Sequence, residues 1–109
     1  MANTFKLKTK ANVGLTTVGI YTAPAATTTV VIGITMANTS GSGVNVGVGI
    51  TRAGTTEDVK LLKNAPIPQG SSLEFMAGNK IVLETTDTLT VDSDTNNSVD
   101  AALTIMEIT

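Results

Sequence analysis

Val44-Asn45-Val46-Gly47-Val48-Gly49-Ile50-Thr51 is the stretch that decides the fold class. Val44, Val46, Val48 and Ile50 fall on one side of an extended chain, and Asn45, Gly47, Gly49 and Thr51 fall on the other. An apolar period of two, unbroken over this span, is the pattern of a half-buried β-strand and not of a helix. Turn residues frame it. Ser40-Gly41-Ser42-Gly43 precedes it, and Ala53-Gly54-Thr55-Thr56-Glu57-Asp58 turns the chain back into a strand at Val59 to Asn64.

The same alternation of strand and punctuation continues in both directions. Upstream, Phe5 and Leu7 alternate with Lys6, Lys8 and Lys10, which predicts an amphipathic first strand. Thr17 to Thr22 predicts a second strand, closed by Ala23-Pro24-Ala25, and Thr28 to Asn38 a third that is covered on both faces. Downstream, Pro66-Ile67-Pro68-Gln69-Gly70 reads as a rigid connection, because proline removes a donor and fixes φ. Strands follow at Ser72–Met76, Lys80–Glu84 and Asp87–Asp92, separated by turns at Ala77-Gly78-Asn79 and Thr85-Thr86. After Asp94-Thr95-Asn96-Asn97 a last strand places Val99, Ala101, Leu103 and Ile105 on one face. The expectation is an all-β chain of about nine short strands, an antiparallel β-sandwich of jelly-roll or immunoglobulin-like topology. Residues 1–109 form one domain in this reading, with 1–10 as an N-terminal strand or arm.

Composition limits the chemistry. Hydrophobic residues make up 41% of the chain but aromatics only 3%, so Val, Ile, Leu, Ala and Met must fill the core. There is no Cys, hence no disulfide or thiolate, and no His, the usual general base and commonest zinc ligand. The carboxylate pairs Glu57/Asp58 and Asp92/Asp94 have few aromatics for a sugar-binding wall, so an enzyme is not expected. Asp92-Ser93-Asp94-Thr95-Asn96 opens like a calcium loop, but Asn97 stands where glycine is needed and Leu103 where the bidentate acid is needed. These residues read as turn formers, and neither metal nor cofactor is expected. Thr27-Thr28-Thr29 and Thr85 to Thr90 read as strand residues facing solvent. No apolar run is long enough for a membrane helix.

Charge is unevenly placed. All seven basic residues lie at or before Lys80, whereas six of the nine acids follow it. Such a chain makes either a mixed surface, if its halves interleave, or two poles suited to contacts between copies. Lys6, Lys8 and Lys10 read as a solvated or edge-protecting face, or as a contact for an acidic neighbour. With an acidic balance and few aromatics, nucleic acid is not the expected partner. Asn45, Gly47 and Gly49 form a nearly bare face, which either admits another backbone or marks bulges.

One longer pattern adds to this. Leu61 to Glu74, with its Pro66-Ile67-Pro68-Gln69-Gly70 and Leu73-Glu74, is followed by Lys80 to Leu89 and a closing strand ending Met106-Glu107-Ile108. Upstream stand Tyr21-Thr22-Ala23-Pro24, a Val/Ile-rich strand and Ala37-Asn38-Thr39-Ser40. Together these resemble β-sandwich structural proteins of tailed-phage virions, cyanophages especially. Members of that family place Ala-Gly before the Asp where this chain has Thr85-Thr86-Asp87. The resemblance implies a virion structural protein made in a host cytoplasm and resident on the capsid surface or tail. It implies a capsid decoration or cement protein first, and a tail, neck or baseplate component as the alternative. A carbohydrate-binding adhesin is a weaker third reading. The implied partners are the major capsid protein or other virion proteins, and further copies of the chain, a trimer among the options. Phe5, Lys6, Lys8 and Lys10 on the first strand, with Asn45, Gly47 and Gly49, are the candidate interface residues.

Overall fold

The computed structural model describes residues 3–55, 57–75 and 80–109, with Phe75 described by its backbone alone. Nine strands form among them: β1 (Asn3–Val13), β2 (Val18–Thr22), β3 (Thr28–Asn38), β4 (Val44–Arg52), β5 (Glu57–Ile67), β6 (Ser72–Phe75), β7 (Ile81–Leu83), β8 (Asp87–Ser93) and β9 (Val99–Ile108). They make two antiparallel sheets, β1-β9-β3-β6 with β7 also pairing β3, and β2-β8-β4-β5.

The pairing is nested. β1 pairs β9, β2 pairs β8, β3 pairs β7 and then β6 along its length, and β4 pairs β5. This is a long antiparallel ribbon rolled up on itself, the jelly roll, so the immunoglobulin-like alternative is set aside. β6 and β7 act together as one edge, since β7 covers Thr29–Val31 and β6 covers Ile34–Ala37 of β3.

Alternation in the sequence becomes burial in the sandwich. Val44, Val46, Val48 and Ile50 of β4 meet Val31, Ile34, Met36, Leu89, Val91, Leu103 and Ile105 in one core. Most of the core is aliphatic, as the composition requires. Among the described side chains, Tyr21 is the aromatic residue within it.

Several boundaries differ from the sequence reading. β5 runs on through Pro66 and Ile67, which had been assigned to a connection. β5 is a sheet edge, where a missing N–H costs no ladder bond. β1, β3 and β5 have eleven residues each, so the strands are not uniformly short. Thr27 and Thr29 are buried and do not face solvent. Met76, the Ala77-Gly78-Asn79 turn and Thr56 lie outside the described residues.

The turn before β8 is a strained one. Thr86 has a φ of 71°, in the left-handed region that disfavours β-branched side chains. Thr86 N–H donates to Ala23 O and Asp87 N–H to Glu84 O, so the tight turn forms despite the side chain.

Candidate functional site

β1 is the strand that sequence reasoning singled out, and its register inverts the ordinary amphipathic arrangement. Thr4, Lys6, Lys8 and Lys10 stand opposite Glu107, Ile105, Leu103 and Ala101 of β9, all of them buried inner-face residues. Paired residues in a ladder point to the same face. The lysines therefore lie on the core side of the sheet, while Phe5 and Leu7 point to its outer face. An amphipathic strand ordinarily buries its apolar side. Here Phe5 is 68% and Leu7 65% exposed. β1 is the sheet's edge and is exposed along nearly its whole length, so the lysines still reach water beyond the sandwich.

The outer face continues the apolar theme. Phe5 pairs Met106, Met106 pairs Val30, and Val30 pairs Val82, which makes one unbroken row across four strands. With neighbouring strands about 4.8 Å apart, the row spans roughly 15 Å. Leu7 and Ile108 extend it on β1 and β9, and Val82, at 56% exposure, closes it on β7. Outer faces of antiparallel sheets are normally polar, so a contiguous apolar patch marks a contact surface. Sequence reasoning found Phe5 but missed Met106, Val30 and Val82, because their adjacency exists only once the register is known.

A polar network pins β1 to both sheets. Tyr21 Oη donates to Glu107 Oε2 at 2.6 Å and lies 2.8 Å from Thr29 Oγ1, which must donate in return. Lys6 Nζ pairs with Glu107 Oε1 at 2.9 Å. Hydrogen bonds from Tyr21 and then Lys6 hold the Glu107 carboxyl below its ordinary range, against the opposing effect of its burial. Burial first, and then the Glu107 hydrogen bond, push the Tyr21 phenol up to about 12. The network was legible in part. Glu107 falls in step with the inward series Val99, Ala101, Leu103 and Ile105, and an acid on an apolar face requires a partner.

The glycine face lies elsewhere, on β4, and the chain itself covers it. β5 carries an extra residue opposite Val46–Val48 and another opposite Val48–Gly49, with Asn64 at a φ of 56° in the first of these bulges. A Cβ on Gly49 would lie 2.8 Å from Val59 O, and one on Gly47 would lie 2.5 Å from Asp92 Oδ1. Both glycines are buried. Asn45 remains exposed, and its N–H donates to Asp94 Oδ1 at 3.0 Å. Asp92 Oδ2 accepts from Thr17 Oγ1 at 3.0 Å and lies 3.9 Å from Lys60 Nζ. Among the described residues no group of three or more acids could hold a metal ion.

Charge asymmetry along the chain is resolved by the nesting. Lys6 pairs with Glu107, Arg52 with Glu84 and Asp87, and Lys60 with Asp92. Each pair joins a base from the first 80 residues to an acid beyond them. Lys8 and Lys10 have no ion pair among the described residues.

No protein-family model matches this chain, and no curated protein does. Its fold, however, is shared with solved structures. A chain of the infectious bursal disease virus particle superposes with a TM-score of 0.60 at 14% identity, over 96% of this chain and 30% of that one. A chain of the Bacillus endospore appendages, which form disulfide-linked pili, gives 0.57 at 15% identity over 99% and 87%. A chain of a cyanophage capsid asymmetric unit gives 0.55 at 16% identity over 95% and 85%. This chain thus spans less than a third of the bursal disease virus chain, but nearly all of it aligns with each of the three. At these identities the likeness is one of fold: a jelly-roll sandwich.

Proposed function

We propose that this chain is a non-enzymatic structural protein of a virion, a capsid decoration or cement protein that binds and stabilises the outer shell. The observation that carries the reading is the outer row Phe5–Met106–Val30–Val82, an apolar surface on a sheet face that a free sandwich would keep polar. The jelly-roll fold supports it, being shared with chains of two virus particles. So does the virion pattern in the sequence. Phe5, with Lys6, Lys8 and Lys10 beside it, is the attachment strand in this reading. Its partners are the major capsid protein or other virion proteins, with further copies of the chain completing an oligomer. Gly47 and Gly49 are not proposed as contacts, since they are covered by β5 and Asp92, whereas the exposed Asn45 stays a candidate contact.

A tail or neck component is the second reading, favoured by the end-to-end fold likeness to the pilus chain. Copy number separates the two. Purified particles should hold this chain at a ratio to the shell protein near that of a full surface lattice. A small ring-like complement per particle would move it to the tail or neck, and absence from particles would end both readings.

A further inference from the structure

We propose that β1 accepts an added β-strand from another protein, and that this strand alternates acidic with apolar side chains. The inference deepens the reading of β1 as an attachment strand and rests on it.

Three features of one strand lead there. β1 is the terminal strand of its sheet, paired to β9 on one side only, so alternate N–H and C=O groups along its other side are open. Its register with β9 is unbroken from Asn3 to Lys10, with no proline, and shifts only between Lys10 and Val13. On the core-side face, Lys6 is in an ion pair with Glu107, whereas Lys8 reaches the same carboxylate only through its longer-range charge and, like Lys10, forms no ion pair among the described residues. On the opposite face stand the exposed Phe5 and Leu7. A strand laid against this edge would set its side chains opposite those of β1, about 5 Å away. Acids at every second position would meet the lysines, and apolar residues between them would lengthen the outer row.

The charge pattern argues against a second copy as the occupant. An antiparallel β1–β1 pairing centred anywhere from Lys6 to Lys10 sets lysine against lysine on the core-side face, which is destabilising, and one centred on Phe5 leaves Lys8 and Lys10 without an acid. The other edges fit no better. β2 is uncharged, β6 and β7 are short, and β5 places Glu57 beside Asp58 on opposite faces. None of these described edges offers acid at alternate positions, so the proposed occupant is a strand of another protein.

The test uses the whole protein and a blocked peptide, long enough to match β1, in which valine and glutamate alternate. Binding should protect β1 amides from hydrogen exchange, and it should weaken with salt. The same peptide N-methylated at alternate residues, which blocks the ladder but keeps the side chains, should not bind. A valine–lysine peptide should bind worse by on the order of tenfold, and the K8E/K10E variant should reverse that order. Equal binding of methylated and free peptides would show face docking and overturn strand addition. Equal binding of the acidic and basic peptides would overturn the charge assignment. Concentration-dependent protection of β1 with no peptide present would make the occupant a second copy and likewise overturn it. The virion reading is judged separately, by presence in particles, so a failure of one is not mistaken for a failure of the other.

Discussion

Two edge strands of eleven residues, β1 and β5, close opposite sheets of the sandwich and are built in contrasting ways. β5 is blunted. It holds Pro66, two bulges and a left-handed Asn64, and its ladder with β4 is interrupted twice. Another chain would find no regular edge there. β1 runs straight for most of its length and shows its apolar side chains to solvent. The difference teaches which edge is kept for the molecule itself and which is offered. β5 needs glycines beneath its bulges to seat it, whereas β1 is held by a ladder and one buried carboxylate.

The strongest way to break the β5 side is Gly49→Leu. Its Cβ would lie 2.8 Å from a backbone carbonyl that cannot swing aside, so a loss of about 3 kcal/mol is expected in denaturant unfolding. At Gly47 the closest contact is the movable Asp92 carboxylate, and the Ala variant there should cost less than Gly49→Ala. The reverse order would mean that the bulges, and not the glycines, set the approach of β5.

On the β1 side, Tyr21→Phe removes the hydroxyl shared by Glu107 and Thr29. About 2 kcal/mol of stability should be lost, with faster exchange of β1 amides. An effect confined to β2 would show that the network does not hold β1. Acid probes the same point. The folded-state pKa of Glu107 is depressed, so its contribution is complete above the unfolded carboxylate value and is lost as pH falls through the lower folded value. Stability of the native protein should therefore fall in that window, and Glu107→Gln should flatten the slope.

Much of this comparison was legible in residues. The strand of Val44 to Ile50 emerges from side-chain alternation alone, and the third strand from its long apolar run, although that run read as covered on both faces while one face of β3 is only half-buried. Local pattern could not show which strands lie side by side, because nested pairing joins residues a hundred positions apart, as Asn3 with Ile108. The outer row and the direction of the lysines depend on that pairing. The charge asymmetry was visible as a number, yet its meaning required knowing that β1 lies against β9.

A smaller effect is expected at the turn before β8. Thr86→Gly relieves a left-handed β-branched residue and should stabilise by about 0.5–1 kcal/mol, net of the backbone freedom glycine adds to the unfolded chain. Smallest of all for stability is the double change Phe5→Ser and Leu7→Ser. Thermal unfolding should shift by less than about 0.5 kcal/mol, because both side chains already face water. Attachment to particles should nevertheless be lost. Retained attachment would move the contact away from the outer row.

The pairing of Asn3 with Ile108 also has a consequence for biosynthesis. β9 sits between β1 and β3, so the larger sheet has a gap at its centre until residues 99–108 have left the ribosome. Until then β1 has no partner strand, and β3 is paired on one side only, with β6 and β7. Loop closure over such separations is slow. A nascent chain is therefore sticky until β9 slots in between β1 and β3. Slowing the ribosome before Val99 would lengthen that interval and should lower the yield of folded protein without altering a single contact in the finished molecule.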